Sequence, residues 1–311
     1  MIQSIQQTLD QVDGSITDTY DDDDIIHQLV LTLGHFFVLD QMGLFQGIMT
    51  DYLRIALIWF VELTEVCIID TFNIAVEFWL VLLKAFNLEA NRIQPPKEII
   101  YHLQEVFVQR MARPQDFACL LPDDIDTSTD PNFPENMRLS IVCLSNLGRE
   151  NIVNLLLANL QNHQENIQNI VVTCWSIGAI SGSLSKVDEQ HLLFEVVSIL
   201  FPLLTSEEYE FLNSQENRTL ICGCYMYILS LYPRFLNNNW NYFHQLLDKI
   251  IEFIYSQYPP LQHITVIILK NISIRIPTPL LYKHADQQQA FVISLLENAE
   301  EIASVLPMEL V

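Results

Sequence analysis

The side chains with the greatest chemical capacity in this 311-residue chain are a close cysteine pair, eight histidines and two aspartate-rich runs. Cys222-Gly223-Cys224 lies in an apolar stretch of helical periodicity, where residues two apart project about 200° from one another. The two thiols therefore cannot share a metal ion, and the pair reads as core packing. The histidines (His27, His35, His102, His163, His191, His244, His263, His284) are dispersed, and the only potential second ligands one turn away from any of them are Glu or Asp typical of helix surfaces. His244 and Asp248 stand at i and i+4, a helix-surface pairing rather than a catalytic dyad. No GxxxxGK[ST], GxGxxG, HExxH, GxSxG or CxxC occurs. The expectation is a non-enzyme without catalytic residue, metal or cofactor.

The aspartate runs read first as solvation. Tyr20-Asp21-Asp22-Asp23-Asp24 closes a polar tail, residues 1–24, and its acids favour the start of the next helix. Leu121-Pro122-Asp123-Asp124-Ile125-Asp126-Thr127-Ser128-Thr129-Asp130-Pro131 reads as an acidic connector, with contact to a basic partner as the functional alternative. Fifteen Lys and Arg against 38 Asp and Glu leave a net charge of −23. That balance disfavours direct nucleic-acid binding, which needs clustered cations, and suits a basic partner or cargo. Eight Gly argue against Gly-rich nucleotide folds and hairpin-rich β architectures.

Half of the residues are hydrophobic, enough to offset the entropy of ordering most of the chain. The longest apolar runs, such as Ile55–Val61, fall short of the roughly 20 residues that span a bilayer. Met1–Gln11 lacks a basic n-region and an apolar h-region. No membrane insertion is expected, and the chain reads as soluble and intracellular. Six scattered cysteines (67, 119, 143, 174, 222, 224) read as small core residues of a reducing compartment.

Apolar positions recur at three- and four-residue steps in 25–39, 44–63, 66–86, 98–111, 136–147, 150–160, 167–184, 188–204, 217–232, 240–256, 261–275 and 287–305. Pro-containing breaks separate them. Pairing 167–184 with 188–204, 217–232 with 240–256 and 261–275 with 287–305 gives a two-helix unit of about 40–50 residues, the period of HEAT repeats. The expected fold is all-α: a HEAT-repeat α-solenoid over 25–311, with an acidic loop at about 122–134. Helical pairs of this kind bury their apolar faces only by stacking.

Thr173-Cys174-Trp175-Ser176-Ile177-Gly178-Ala179-Ile180-Ser181-Gly182-Ser183-Leu184 closely resembles the exportin-1 family of receptors for leucine-rich nuclear export signals, within the importin-beta (karyopherin) superfamily. Tyr225-Met226-Tyr227-Ile228, Leu231-Tyr232-Pro233-Arg234-Phe235-Leu236 and Trp240 follow in the family's order. Weaker likenesses at Arg110-Met111-Ala112-Arg113-Pro114, Glu135-Asn136-Met137-Arg138 and Phe72–Trp79 extend the resemblance over about residues 60–275. It implies the central part of a longer receptor that holds cargo peptides in a groove between two outer helices, here formed by 188–256. It also implies Ran-GTP as a partner, nucleoporin contacts, and shuttling between nucleus and cytoplasm.

On that resemblance, Val197, Phe201 and Leu204 share one face of the first groove helix. Tyr242, Leu246, Lys249 and Phe253 make the facing stripe, with Ile250 beside it. Cys222, Tyr225 and Met226 form the floor, and Phe235 lies at the loop end. A preformed apolar slot suits an amphipathic peptide, each fully buried anchor contributing about 1.5–3 kcal/mol before ordering costs. Lys249 would donate to peptide carbonyls, oriented by Glu252. From spacing alone, the same stripes read as inter-helix core.

The chain departs from the family in several places. Leu204 stands where many members carry a cysteine alkylated by leptomycin-type inhibitors. Ser198, Gln215 and Asn241 replace basic rim residues, while Arg218 and Lys249 keep their charge. Asp123, Asp124, Asp126 and Asp130 would retain a shortened form of the acidic loop that couples cargo to Ran. The repeats that grip Ran lie outside these 311 residues, so coupling is expected to be weakened. The rival reading is a solenoid scaffold or adaptor that carries no cargo.

Overall fold

A computed structural model describes residues 20–39, 51–88, 95–114, 130–162, 167–205, 214–256 and 258–275. All regular structure among them is helical: α1 Tyr20–Leu39, α2 Asp51–Val66, α3 Ile69–Leu88, α4 Lys97–Gln109, α5 Phe133–Leu147, α6 Arg149–Gln161, α7 Ile167–Ala179, α8 Lys186–Thr205, α9 Gln215–Leu231, α10 Pro233–Asn238, α11 Trp240–Ile254 and α12 Pro259–Arg275. The all-α HEAT-type expectation holds. The expected helix at 287–305 and the start of the one at 44–63 lie outside the described residues.

Three local differences from the periodicity have physical reasons. Helix α1 begins at Tyr20, so the aspartates expected in the tail form its first turns, where acids offset the helix dipole. Helix α7 stops at Ala179 instead of 184, because Gly182 takes a left-handed φ of +83° that turns the chain. A short helix, α10, fills the expected Pro233 break; proline is well suited to a first helical position, where its missing N–H costs nothing. Helix α8 begins with a reciprocal cap: the Ser185 hydroxyl donates to Asp188 Oδ2 at 2.7 Å and accepts the Asp188 backbone N–H at 3.2 Å.

The chain divides into two compact units. The first comprises residues 1–112 and 126–152. Helices α1, α3 and α5 pack in one row, with α2 and α4 in a second row against them. The core is aromatic: Phe60 stacks on Trp79 at 4.7 Å between centroids, and the Trp79 indole N–H donates to the buried Thr64 hydroxyl at 2.9 Å. Arg110, at the end of α4, donates to the Thr64 and Glu65 carbonyls at 2.9 and 3.1 Å, satisfying the C-terminus of α2. Gln104 donates to the Leu144 and Gly148 carbonyls and accepts from Asn151, tying α4 to the end of α5 and the start of α6.

The second unit comprises residues 113–125 and 153–311. Helix α9 packs on α7 and α12, α8 packs on α9, α11 packs on α12, and α10 bridges α8, α9 and α11. Gly178 allows α7 to approach α9 closely, since a Cβ there would lie 2.4 Å from the Tyr227 ring. The buried Tyr232 hydroxyl donates to the Ile177 carbonyl in the last turn of α7 at 2.5 Å. Beside it, Arg234 pairs with the buried Glu189 carboxylate and donates to the Leu184 carbonyl at 3.3 Å.

Candidate functional site

In the second unit α8 packs on α9, and Tyr242 of α11 meets Phe194 of α8 at 5.8 Å; the candidate groove residues are distributed over α8, α9, α10 and α11. On α11, Leu246, Ile250, Phe253 and Ile254 recur at i, i+4, i+7 and i+8 and are buried, whereas Asp248 and Glu252 are exposed. On α8, Val197 is buried, and Phe201 and Leu204 are half-buried one and two turns further on. Helix α9 supplies the fully buried Met226, the buried Tyr225 and the half-buried Cys222. Phe235, on α10, is fully buried, while Tyr242, on the first turn of α11, is half-buried.

The twelve candidate residues thus fall into two sets. Val197, Tyr225, Met226, Phe235, Leu246, Ile250 and Phe253 are packed within the unit. Phe201, Leu204, Cys222, Tyr242 and Lys249 keep partial access to solvent. The Phe201 and Tyr225 rings lie 6.2 Å apart, bringing the two sets together between α8 and α9.

Lys249 has a defined setting. Its ammonium donates to Glu252 Oε2 at 2.6 Å and stands 5.8 Å from the centre of the Phe253 ring. Its side chain is 21% exposed against 59% for Glu252, so the cation sits at the edge of apolar packing with its counter-charge in solvent. Burial pushes the Cys222 thiol up to about 12, outweighing the nearby Lys249 charge that would lower it, so this thiol is unreactive near neutral pH. Burial likewise raises the Tyr225 hydroxyl, which finds no hydrogen-bond partner among the described residues.

Two features escaped the sequence reading. Phe194 is 41% exposed and meets Phe235 at 5.3 Å and Tyr242 at 5.8 Å, extending the aromatic face of α8 by one turn. Its signal was its place three residues before Val197 on the same stripe. Cys224 is fully buried beside Cys174, and that contact adds to the burial that keeps it protonated. Among the described residues no group of His, Cys, Asp and Glu is arranged to hold a metal ion.

Of the acidic-loop candidates, Asp123, Asp124 and Asp126 lie outside the described residues. Asp130 belongs to the first unit: its carboxylate accepts from Asn73 Nδ2 at 3.2 Å and from the Asn132 backbone N–H at 2.9 Å, just before α5. The His244 side chain also lies outside the described set.

Residues 162–210, from the end of α6 through α8, match the family profile of CRM1 / Exportin repeat 3. Exportin-1 of Dictyostelium discoideum is 24% identical over 314 aligned residues, covering 92% of this chain and 29% of that protein. Exportin-1 of Drosophila melanogaster is 25% identical over 278 residues, covering 81% of this chain and 26% of the relative. Protein EXPORTIN 1A of Arabidopsis thaliana is 24% identical over 206 residues, covering 62% of this chain and 19% of the relative. The chain spans less than a third of the length of these curated relatives. An exportin repeat matched at α7–α8, together with alignment over most of the chain to exportin-1 proteins, makes this chain similar to a part of the exportin-1 sequence.

Proposed function

We propose that the second unit binds amphipathic, Leu-rich export-signal peptides of cargo proteins along the seam between α8 and α11, as a segment of a nuclear export receptor. The observation that carries this reading is Lys249: a cation on the margin of apolar packing, held by a solvent-exposed carboxylate one turn away. A peptide laid along Phe201, Leu204, Cys222 and Tyr242 would bury apolar side chains and offer main-chain carbonyls to that ammonium. The Tyr225 hydroxyl, buried and without a partner among the described residues, would become a second polar group for the peptide only if the packing around Phe201 opened. Coupling to Ran-GTP, contact with nucleoporins and shuttling between nucleus and cytoplasm belong to the same proposal, drawn from the kinship with exportin-1.

Titrating a fluorescent leucine-rich export peptide tests the reading, with Phe201→Ala and Lys249→Glu as variants. Both side chains are partly exposed, so the fold should tolerate their replacement. Saturable binding lost in both variants supports a receptor.

The burial of seven of the twelve groove candidates favours a second reading, a scaffold solenoid whose seam is simply core. Absence of saturable binding by the intact chain would establish that reading over the first.

A further inference from the structure

Cys174 of α7 and Cys224 of α9 are both fully buried, and the packing of these two helices brings them together. Three other contacts fix the register around them. A Cβ on Gly178, one turn beyond Cys174, would lie 2.4 Å from the ring of Tyr227, three residues beyond Cys224. The same Cβ would lie 2.9 Å from Leu231, a further turn along α9. The Tyr232 hydroxyl reaches the Ile177 carbonyl at 2.5 Å. The helices therefore run side by side in the same direction, with Cys174 level with Cys224, and the two thiols are in hydrogen-bond contact.

Disulfides form only between backbones closer than about 7 Å, and the missing side chain at Gly178 is what lets α7 and α9 draw together one turn away. Other described thiols are not placed to compete. Cys222 leaves α9 about 200° round the helix from Cys224, and Cys67 and Cys143 belong to the first unit.

We propose that Cys174 and Cys224 are an oxidisable dithiol, which a hydroperoxide converts into a disulfide that staples α7 to α9. One sulfur, as thiolate, attacks hydrogen peroxide and breaks its O–O bond, giving a sulfenic acid and, with the thiol proton, one water. The second sulfur then attacks the sulfenic sulfur, the S–S bond forms, and the displaced hydroxide leaves with the second thiol proton as another water. The two thiols lose two electrons and two protons, and the peroxide is reduced to two waters. Burial and the contact with Cys174 keep the Cys224 thiol protonated while the unit is closed, so the reduced pair is the resting state and oxidation proceeds through local openings of α7 from α9. The bond closes a loop from 174 to 224 that contains all of α8, and a loop of that length restricts the unfolded chain strongly.

Peroxide treatment of the reduced full-length chain tests this. After capping with N-ethylmaleimide and digestion, one peptide pair should be joined through Cys174 and Cys224, with fragment spectra separating Cys224 from Cys222. Amide exchange in α7 and α9 should slow by at least about a hundredfold in the oxidised chain. Dithiothreitol should reverse both changes, and Cys224→Ala should show neither; if that variant does not fold, the reversal in the wild-type chain serves as the control. No joined pair, a bond through Cys222, a bond found only between two chains, or a joined pair with unchanged exchange would each overturn the proposal.

Discussion

Replacing Arg110 by Met should loosen the junction between α2 and α4, and the structure sets the size of the effect. One guanidinium nitrogen donates to the Thr64 and Glu65 carbonyls at 2.9 and 3.1 Å, in the last turn of α2, where carbonyls lack intrahelical partners. The guanidinium carbon also sits 3.9 Å from the centre of the Phe72 ring. Hydrogen bonds from a charged donor contribute about 1.5–3 kcal/mol each when buried, and less here because Arg110 is only half-buried. The ring contact adds about 0.5–1 kcal/mol. Methionine keeps the aliphatic stem and loses both terms, so the expected loss is about 2–3 kcal/mol. Arg110→Lys should lose about half as much, because an ammonium keeps the charge but not the planar fork. The assay is native-state hydrogen exchange read peptide by peptide, since two units need not unfold in one transition. Exchange should quicken in α2 and α4, and a double-mutant cycle with Phe72→Leu should return a coupling of about 0.5–1 kcal/mol. An Arg110→Met protein within about 0.5 kcal/mol of wild type would refute the assignment, as would zero coupling to Phe72.

Other expectations concern the second unit. Gly178→Ala should cost about 1–2 kcal/mol despite the better helix propensity of Ala, because the added Cβ would lie 2.4 Å from the buried Tyr227 ring and 2.9 Å from Leu231; thermal unfolding reads this directly. The chain should lose stability as pH rises from about 9 to about 12. Over that window the Cys222 thiol ionises in the unfolded chain, from its ordinary value of 9.0, but stays protonated in the fold, so the unfolded state binds fewer protons. Cys222→Ala should flatten that slope in denaturation series at stepped pH. Leptomycin-type Michael acceptors should leave the seam unmodified by intact mass, since Leu204 has no nucleophile and the thiol of Cys222 is protonated at neutral pH. If the peptide enters by parting α8 from α11, Ile250→Val should destabilise the unit and yet tighten export-peptide binding, because it raises the fraction already open; weaker binding would place the peptide on the closed surface.

The helices were legible because each buries a single stripe, and the 3.6-residue period of that stripe is written directly in residue order. Features set by backbone conformation were less so. Ser181-Gly182-Ser183 continues the family block between Ile180 and Leu184, which keep the helical spacing, yet the turn at Gly182 ends α7 several residues early. Pro233 looked like an interruption and instead starts α10, because proline stops a helix only from inside it. The Lys249–Glu252 pair was readable from its i, i+3 spacing alone. The tie between Glu189 and Arg234 was not, because 45 residues separate the partners and only the tertiary fold brings them together. Burial at the groove was the least legible quantity. A stripe that faces a neighbouring helix and one that faces a ligand have the same period, so the order of residues could not distinguish Leu246, fully buried, from Phe201, half-exposed.

That division carries a physical consequence for any receptor role. Seven candidates are already buried within the unit, so a peptide gains no hydrophobic free energy from them unless that packing opens. Opening would forfeit packing around Met226, Leu246 and Ile250, none of which has exposed surface. The five half-exposed residues are different: they present apolar area and one cation without any rearrangement. A ligand confined to them would bind shallowly, whereas one that reached the buried set would have to repay the contacts it displaced. Affinity in the second case depends on how little the closed seam is favoured, and that is set less by the anchors than by what ties α8 to its neighbours. Glu189 with Arg234, and the Phe194–Phe235–Tyr242 aromatic cluster, fix the N-terminal half of α8 against α10 and α11. The last turn of α8 carries Pro202, which lacks the N–H that would bond back to Ser198. On the proposed receptor reading, that missing backbone bond beside Phe201 and Leu204 lowers the cost of shifting this turn to admit a peptide.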